Sequence, residues 1–129
     1  MSVIARFEVI PVGERRMSTA IASALRALDQ FPVSYQTTAT DTIIEADTSE
    51  QVFAAVQAAH QAIPDDRVIT SVEIDEDRRR PQRMGERVAA VQRELGHPPQ
   101  RLQPPIQQGA PTEPRPTEQT RRGPPSRTR

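Results

Sequence analysis

The stretch Gln36-Thr-Thr-Ala-Thr-Asp-Thr-Ile-Ile-Glu-Ala-Asp47 predicts a β-hairpin, and the rest of the fold can be arranged around it. Threonine and isoleucine favour strands, and the two predicted strands cover Val33–Ala39 and Thr42–Asp47. If Ile44 faces the core, strand alternation puts Glu45 on the opposite face of the sheet. A carboxylate beside isoleucines in a strand needs a structural or functional explanation.

The segments on either side of the hairpin each predict one helix and one strand. Before the hairpin, Val3–Ile10 alternates apolar and polar residues, and Ser18 is a candidate N-cap for an amphipathic helix. After it, Thr48 or Ser49 can cap a second helix, and Arg67–Asp75 alternates again. The order β-α-β-β-α-β is the ferredoxin-like arrangement of an α+β fold, with both helices on one sheet face and the first and third strands at the centre.

An extra C-terminal helix is predicted after Pro81. Its apolar residues form one narrow line, Met84, Val88, Val91 and Leu95. The second helix carries a comparable stripe, Val52, Val56, Ala59 and Ile63. Because the extra helix has no place in the ferredoxin-like core, we expect its line to pack against the sheet edge or a neighbouring subunit.

The composition changes sharply near Gly96, which predicts a folded domain over residues 1–96 and a disordered tail over residues 97–129. The tail holds nine of the 13 prolines, six arginines, two acidic residues and no aromatic residue. It cannot bury enough apolar surface to offset its ordering entropy. The tail is either functionally quiet or a weak binding segment for nucleic acid or an acidic protein surface.

Several function classes are excluded by composition. The chain has no cysteine and two histidines, so we expect no disulfide, no thiolate or multi-histidine metal site and no resident cofactor. No window approaches the roughly 18 apolar residues of a membrane span, and we expect a cytoplasmic protein. No catalytic triad or glycine-rich phosphate loop is present, and the predicted open sheet face has no aromatic residue for RNA bases. We therefore expect neither catalysis nor nucleic-acid binding by the folded domain.

The open face of the predicted sheet carries the candidate binding residues. Alternation places Glu8 and Arg6 there with Ile4, and the same rule brings Glu45 from the third strand. Two carboxylates on neighbouring central strands repel one another when they lie close together. Either a glutamate pairs with Arg6 on a solvated sheet, or the two carboxylates form an acidic pocket for a small cationic ligand.

Four stretches resemble the thiamine-binding protein family of the YkoF-like superfamily, which has a ferredoxin-like fold. They are the end of the first strand, the end of the hairpin, the end of the second helix and the segment before the third: Ile10-Pro-Val-Gly13, Asp41-Thr-Ile-Ile-Glu45, Ala59-His-Gln-Ala62 and Ile74-Asp-Glu-Asp-Arg-Arg-Arg-Pro81. The similarity covers about residues 1–96.

The resemblance implies a homo-oligomer, with dimers pairing into tetramers, that binds thiamine or its hydroxymethylpyrimidine part without catalysis. It assigns Glu8 and Glu45 to the ligand, with hydroxyl contacts from Thr38 and Thr42. The alternative is a homo-oligomeric scaffold or regulatory module in which the open face is the subunit interface, with an acidic partner at the tail.

Overall fold

The computed structural model describes residues 2–13 and 16–104, and it confirms the predicted order of elements. The four strands form one antiparallel sheet in the order β2-β3-β1-β4, so the first and third strands are central as expected. The elements are β1 (Val3–Pro11), α1 (Met17–Leu28), β2 (Ser34–Thr37), β3 (Thr42–Ala46), α2 (Ser49–Gln61), β4 (Val68–Asp75) and α3 (Met84–Leu95).

The tail prediction falls mostly outside this description. Residues 97–104 contain no helix or strand, and residues 105–129 lie outside the described residues. Within the described part of the chain, no helix has the length and apolar character that a membrane crossing requires.

One face of the sheet is buried under α1 and α2. Alternate residues of β1 supply the sheet side of this core, and the predicted stripe of α2 supplies part of the helix side. Leu28, Ile44, Val3 and Val52 are the largest side chains that are fully buried. The buried residues of β1 and of the predicted α2 stripe are Val3, Ala5, Phe7, Val9, Pro11, Val52, Val56, Ala59 and Ile63.

The opposite face, which we call the outer face, is ordered in rows by the strand register. Each row joins residues that lie directly opposite one another on neighbouring strands, so their side chains are close. From one end of the sheet to the other, the rows are Ser34–Glu45–Ile4–Asp75, Gln36–Ile43–Arg6–Glu73, Glu8–Ser71 and Ile10–Ile69.

The two predicted helix caps have different outcomes. Thr48 is the N-cap of α2, and its hydroxyl oxygen accepts a hydrogen bond from the Gln51 N–H at 3.2 Å. Ser18 does not cap α1, because the helix begins one residue earlier and Arg16 occupies the N-cap position without a side-chain hydrogen bond. The prediction for Ser18 was therefore wrong, and its hydroxyl lies within the first turn.

α3 is attached to the domain but buries none of its residues. The predicted apolar line is about half exposed, at 52% for Val88, 55% for Val91 and 48% for Leu95. Packing of the whole line against the sheet edge is therefore not found. Contact with a neighbouring subunit stays a prediction.

We expect Thr48→Ala to lower the free energy of unfolding by about 1 kcal/mol, because it leaves a backbone N–H of α2 without its acceptor. Ser18→Ala is the matched control, since Ser18 caps nothing, and it should change stability by less than about 0.5 kcal/mol. Urea denaturation of both variants measures the difference. Equal losses in the two variants would contradict the assignment of the caps.

Candidate functional site

β1 is longer than β3, and a cleft opens where β3 stops. β3 pairs with β1 only as far as Phe7, which lies opposite Thr42, whereas β4 pairs with β1 as far as Pro11. Among the described residues, no strand pairs with the β3-facing edge of β1 from Glu8 to Ile10. Of these three residues, Val9 directs its backbone N–H and C=O to this edge, because the Val12 N–H bonds to the Arg67 C=O on the β4 side and backbone direction alternates along a strand.

This cavity, the hairpin cleft, lies between the end of β1, one side of α1 from Met17 to Leu25, and the β2–β3 turn at residues 37–42. Its volume is about 230 Å3, slightly below the ~300 Å3 at which ligand pockets of drug-sized molecules begin. The cleft can therefore hold a small ring rather than a large cofactor. Its apolar wall consists of Phe7, Val9, Met17, Ile21 and Leu25.

A second cavity, the polar groove, adjoins the hairpin cleft and has a volume of about 330 Å3. The two cavities share Phe7, Glu8, Thr40 and Asp41, and the polar groove adds Arg6, Ser71, Val72 and Glu73. Arg6 donates a hydrogen bond to Glu73 at 2.9 Å, so it does not form the pair with Glu8 that the sequence allowed. Glu8 is exposed between the two cavities and has no ion-pair partner among the described residues.

Thr38 lines the hairpin cleft, but its hydroxyl group is already used within the turn. It donates to the Asp41 carboxylate at 2.7 Å and accepts the N–H groups of Thr40 and Asp41 at 3.3 and 3.2 Å. A hydroxyl group has one donor and two acceptor sites, and all three are occupied here. Thr38 therefore orients the turn and the Asp41 carboxylate, and direct contact with a ligand would require it to give up one of these bonds.

Thr42 also lines the hairpin cleft and is 6% exposed. Its hydroxyl group lies 3.1 Å from that of Thr37, directly opposite on β2, and either oxygen can be the donor. One hydroxyl proton of the pair is left over after this bond. Thr42 and Thr37 together can offer that proton to a ligand.

Asp41 is the charged residue of the cleft that sequence analysis did not assign. It is half-buried, and Thr38 holds one of its carboxylate oxygens. Its position in the predicted turn suggested a loop residue and nothing more. The signal that could have found it is the pairing of a threonine and an aspartate three residues apart, which recurs in turns whose side chains bond the local backbone.

Glu45 lies apart from this site. It is opposite Ile4 in the register, four residues from the row of Glu8, which corresponds to about 13 Å along the strand. The prediction that the two carboxylates lie close together is therefore wrong. The structure brings Glu8, Thr38 and Thr42 to one cleft and leaves Glu45 out of it.

The Glu45 carboxylate instead holds the start of α3. It is 7% exposed, accepts a hydrogen bond from the Met84 N–H at 2.5 Å, and lies 3.5 Å from the guanidinium group of Arg83. Arg83 stands at the N-cap position and provides no side-chain acceptor for the first turn. Glu45 serves in place of a cap, and its negative charge interacts favourably with the positive end of the helix dipole.

Asp75 provides the second attachment of α3. Arg87 donates two hydrogen bonds to its carboxylate, at 2.5 and 3.3 Å. These bonds hold the pKa of Asp75 below its ordinary value, against a smaller opposing effect of burial, and the charge of Arg87 adds to the lowering. Because the folded pKa is depressed, this attachment persists at mildly acidic pH and weakens as the pH falls through the lowered pKa.

Comparison with known proteins establishes the protein family of this chain. Residues 5–92 match the thiamine-binding protein family, which is well over half of the chain. The chain belongs to this family. The matched region includes Glu8, the hairpin turn and most of α3, so the whole hairpin cleft lies within it.

Relatives agree with this assignment and with the fold. The chain is 31% identical over 98 residues to a UPF0045 protein of Methanothermobacter thermautotrophicus, and the match covers 72% of this chain and 99% of the relative. A hypothetical protein of Methanocaldococcus jannascii superposes with a TM-score of 0.65 at 25% identity, covering 70% of this chain and 95% of that one. A domain of unknown function, DUF77, from Bacillus cereus superposes with a TM-score of 0.63 at 25% identity, and the match covers 72% of this chain and 92% of that one.

We expect Glu45→Gln to loosen α3 by about 1 to 2 kcal/mol, the range for a charge at a partly buried helix end, because the ion pair and the charge at the dipole are lost. Hydrogen exchange at the α3 amides should become faster, while exchange in α2 stays unchanged. Glu8→Gln is the matched control, since Glu8 lies four residues along the strand from the row of Glu45 and forms no hydrogen bond or ion pair with α3 among the described residues. Unchanged exchange at α3 in Glu45→Gln would refute the role given to Glu45.

Proposed function

We propose that this chain is a non-catalytic binding protein for thiamine or a related hydroxymethylpyrimidine, and that the hairpin cleft is its binding site. The proposal follows the family to which the chain belongs, which is named for binding. The observation that carries it is the Glu8 carboxylate, exposed at the junction of an apolar cleft and a polar groove without an ion-pair partner among the described residues.

The charge of Glu8 suits the chemistry of the ligand. Thiamine carries a permanent positive charge on its thiazolium ring, and an unpaired carboxylate attracts a cation more strongly as water is excluded around both. Thiazolium has no N–H to donate, so its contact with Glu8 is electrostatic. We assign the thiazolium ring to the mouth of the cleft, beside Glu8.

The unpaired edge of β1 suits the other half of the ligand. An aminopyrimidine presents an amine donor next to a ring-nitrogen acceptor, and a strand edge presents backbone C=O and N–H groups. The ring can therefore bond to the edge from Glu8 to Ile10 as part of a strand would. Its flat faces would lie against the apolar wall formed by Met17, Ile21 and Leu25.

The four residues first assigned to the ligand take different roles in this proposal. Glu8 and Thr42 face the ligand, Thr38 holds the turn and Asp41, and Glu45 holds α3. Asp41 joins Glu8 as the second carboxylate of the cleft.

Isothermal titration of the full chain with thiamine and with hydroxymethylpyrimidine tests the proposal. We expect saturable binding of both, and Glu8→Gln should weaken thiamine about tenfold, or about 1.4 kcal/mol, near the lower end for interactions of a charged group. The affinity for neutral hydroxymethylpyrimidine should fall less in this variant, because this ligand lacks the thiazolium charge. Glu50→Gln, an exposed glutamate on α2, is the charge-matched control and should bind like the unmodified chain.

Two results would count against this site. No binding of either ligand by the folded chain would refute the thiamine proposal. Equal affinity for thiamine in Glu8→Gln and Glu50→Gln would place the ligand outside the hairpin cleft.

Assembly into a homo-oligomer is a second candidate function, and α3 carries the observation that favours it. Val88, Val91 and Leu95 form a half-exposed apolar line on a helix with no buried residue. Apolar residues grouped in this way are typical of contact surfaces between proteins. We propose that a second copy of the chain covers this line.

We expect the chain to have the mass of a dimer or tetramer in solution, and Val91→Glu to shift it toward the monomer. Burial of one valine contributes about 1.5 to 3 kcal/mol, which a charged side chain at the same position would forfeit. Light scattering after size-exclusion chromatography measures the mass across a dilution series. Gln92→Glu adds the same charge on the neighbouring exposed position and should leave the mass unchanged, whereas a monomeric unmodified chain would contradict assembly.

A further inference from the structure

The binding site has an excess of negative charge. Glu8 and Asp41 are the charged residues among the described lining of the hairpin cleft, and both also line the polar groove. The polar groove adds one basic residue, Arg6, and this side chain is paired with Glu73 at 2.9 Å. Neither cavity therefore offers an uncommitted basic side chain among its described residues.

Asp41 is held in place rather than free to turn away. Its Oδ1 atom accepts the Thr38 hydroxyl at 2.7 Å, and the same hydroxyl oxygen accepts the Asp41 N–H. A backbone hydrogen bond from the Thr38 N–H to the Asp41 C=O at 2.8 Å closes the turn. The carboxylate is thereby fixed on the same side of the sheet end as Glu8, with its second oxygen left for other contacts.

One feature of the cleft opposes this negative charge. Met17 belongs to both the cleft lining and the first turn of α1, so the positive end of the α1 dipole borders the site. A helix end corresponds to about half an elementary charge, whereas two ionised carboxylates carry two full charges. The two carboxylates therefore outweigh the helix end in the charge that the described lining residues present.

We propose that the site selects the unphosphorylated cation and excludes its phosphate esters, with Asp41 and Glu8 setting this selectivity. The inference rests on the function proposed above. A phosphate monoester carries about −1.5 to −2 charges near neutral pH, and proteins bind it with arginine, lysine or several converging N–H groups. Here the ester group would meet two carboxylates before it met an unpaired cation.

The test compares thiamine, thiamine monophosphate and thiamine diphosphate by isothermal titration of the full chain in one magnesium-free buffer. We expect each ester to bind at least about tenfold more weakly than thiamine. The ratio of the two dissociation constants should fall toward one as salt is raised, because screening weakens repulsion between charges near the surface.

Asp41→Asn identifies the residue responsible. The amide can still accept the Thr38 hydroxyl, so the turn is kept while the charge is removed, and the ratio of ester to thiamine dissociation constants should fall at least about threefold. Glu8→Gln should lower the same ratio. If Asp41→Asn is unstable, this second variant still tests whether the carboxylates set the selectivity. Asp66→Asn, an exposed aspartate away from both cavities, should leave the ratio unchanged.

The outcomes separate this inference from the proposed function. Thiamine binding with equal or tighter binding of the esters would overturn the selectivity and assign the phosphate to solvent or to the start of α1. A large ratio that neither Asp41→Asn nor Glu8→Gln reduces would overturn the role of the carboxylates. No binding of thiamine at all would refute the proposed function itself, and the selectivity with it.

Discussion

The two-residue period of β1 is the constraint on which the rest of the structure depends. β1 pairs with strands on both sides, so each of its residues fixes a position in the sheet. The residues that point to the helices form the centre of the core. Those that point outward divide the outer face: Ile4 lies between the two carboxylates that hold α3, Arg6 pairs with Glu73, and Glu8 reaches the cleft.

Alternation in the sequence was sufficient for the fold but not for the site. It predicts which face each residue occupies, and the buried and exposed residues of β1 and the α2 stripe agree with it. It does not predict the row, because the row depends on register and on where β3 stops. Glu8 and Glu45 share a face, as predicted, and are separated along it. The Thr38 hydroxyl is occupied by bonds within the turn, and Glu45 is buried by a helix that is distant in the sequence. No local pattern in either strand specifies these contacts.

Three acidic residues, Glu45, Asp41 and Glu8, have different surroundings. Glu45 is buried and has a helix end and an arginine for compensation, so its charge is committed to structure. Asp41 is half-buried and partly committed through Thr38. Glu8 is exposed and uncommitted among the described residues. Availability to a ligand increases in that order, so we propose the hairpin cleft as the binding site instead of a pair formed by Glu8 and Glu45.

The unpaired edge of β1 also bears on self-association through strands. An open strand edge is a template on which another polypeptide can add, and long apolar edges promote aggregation. Here the opening spans only Glu8 to Ile10, with the hairpin turn at one end and Pro11, which lacks an N–H, at the other. An incoming strand would need more length than this interval provides and would bring its backbone beside the Glu8 charge. The short length of this unpaired interval therefore disfavours addition of a strand from another chain.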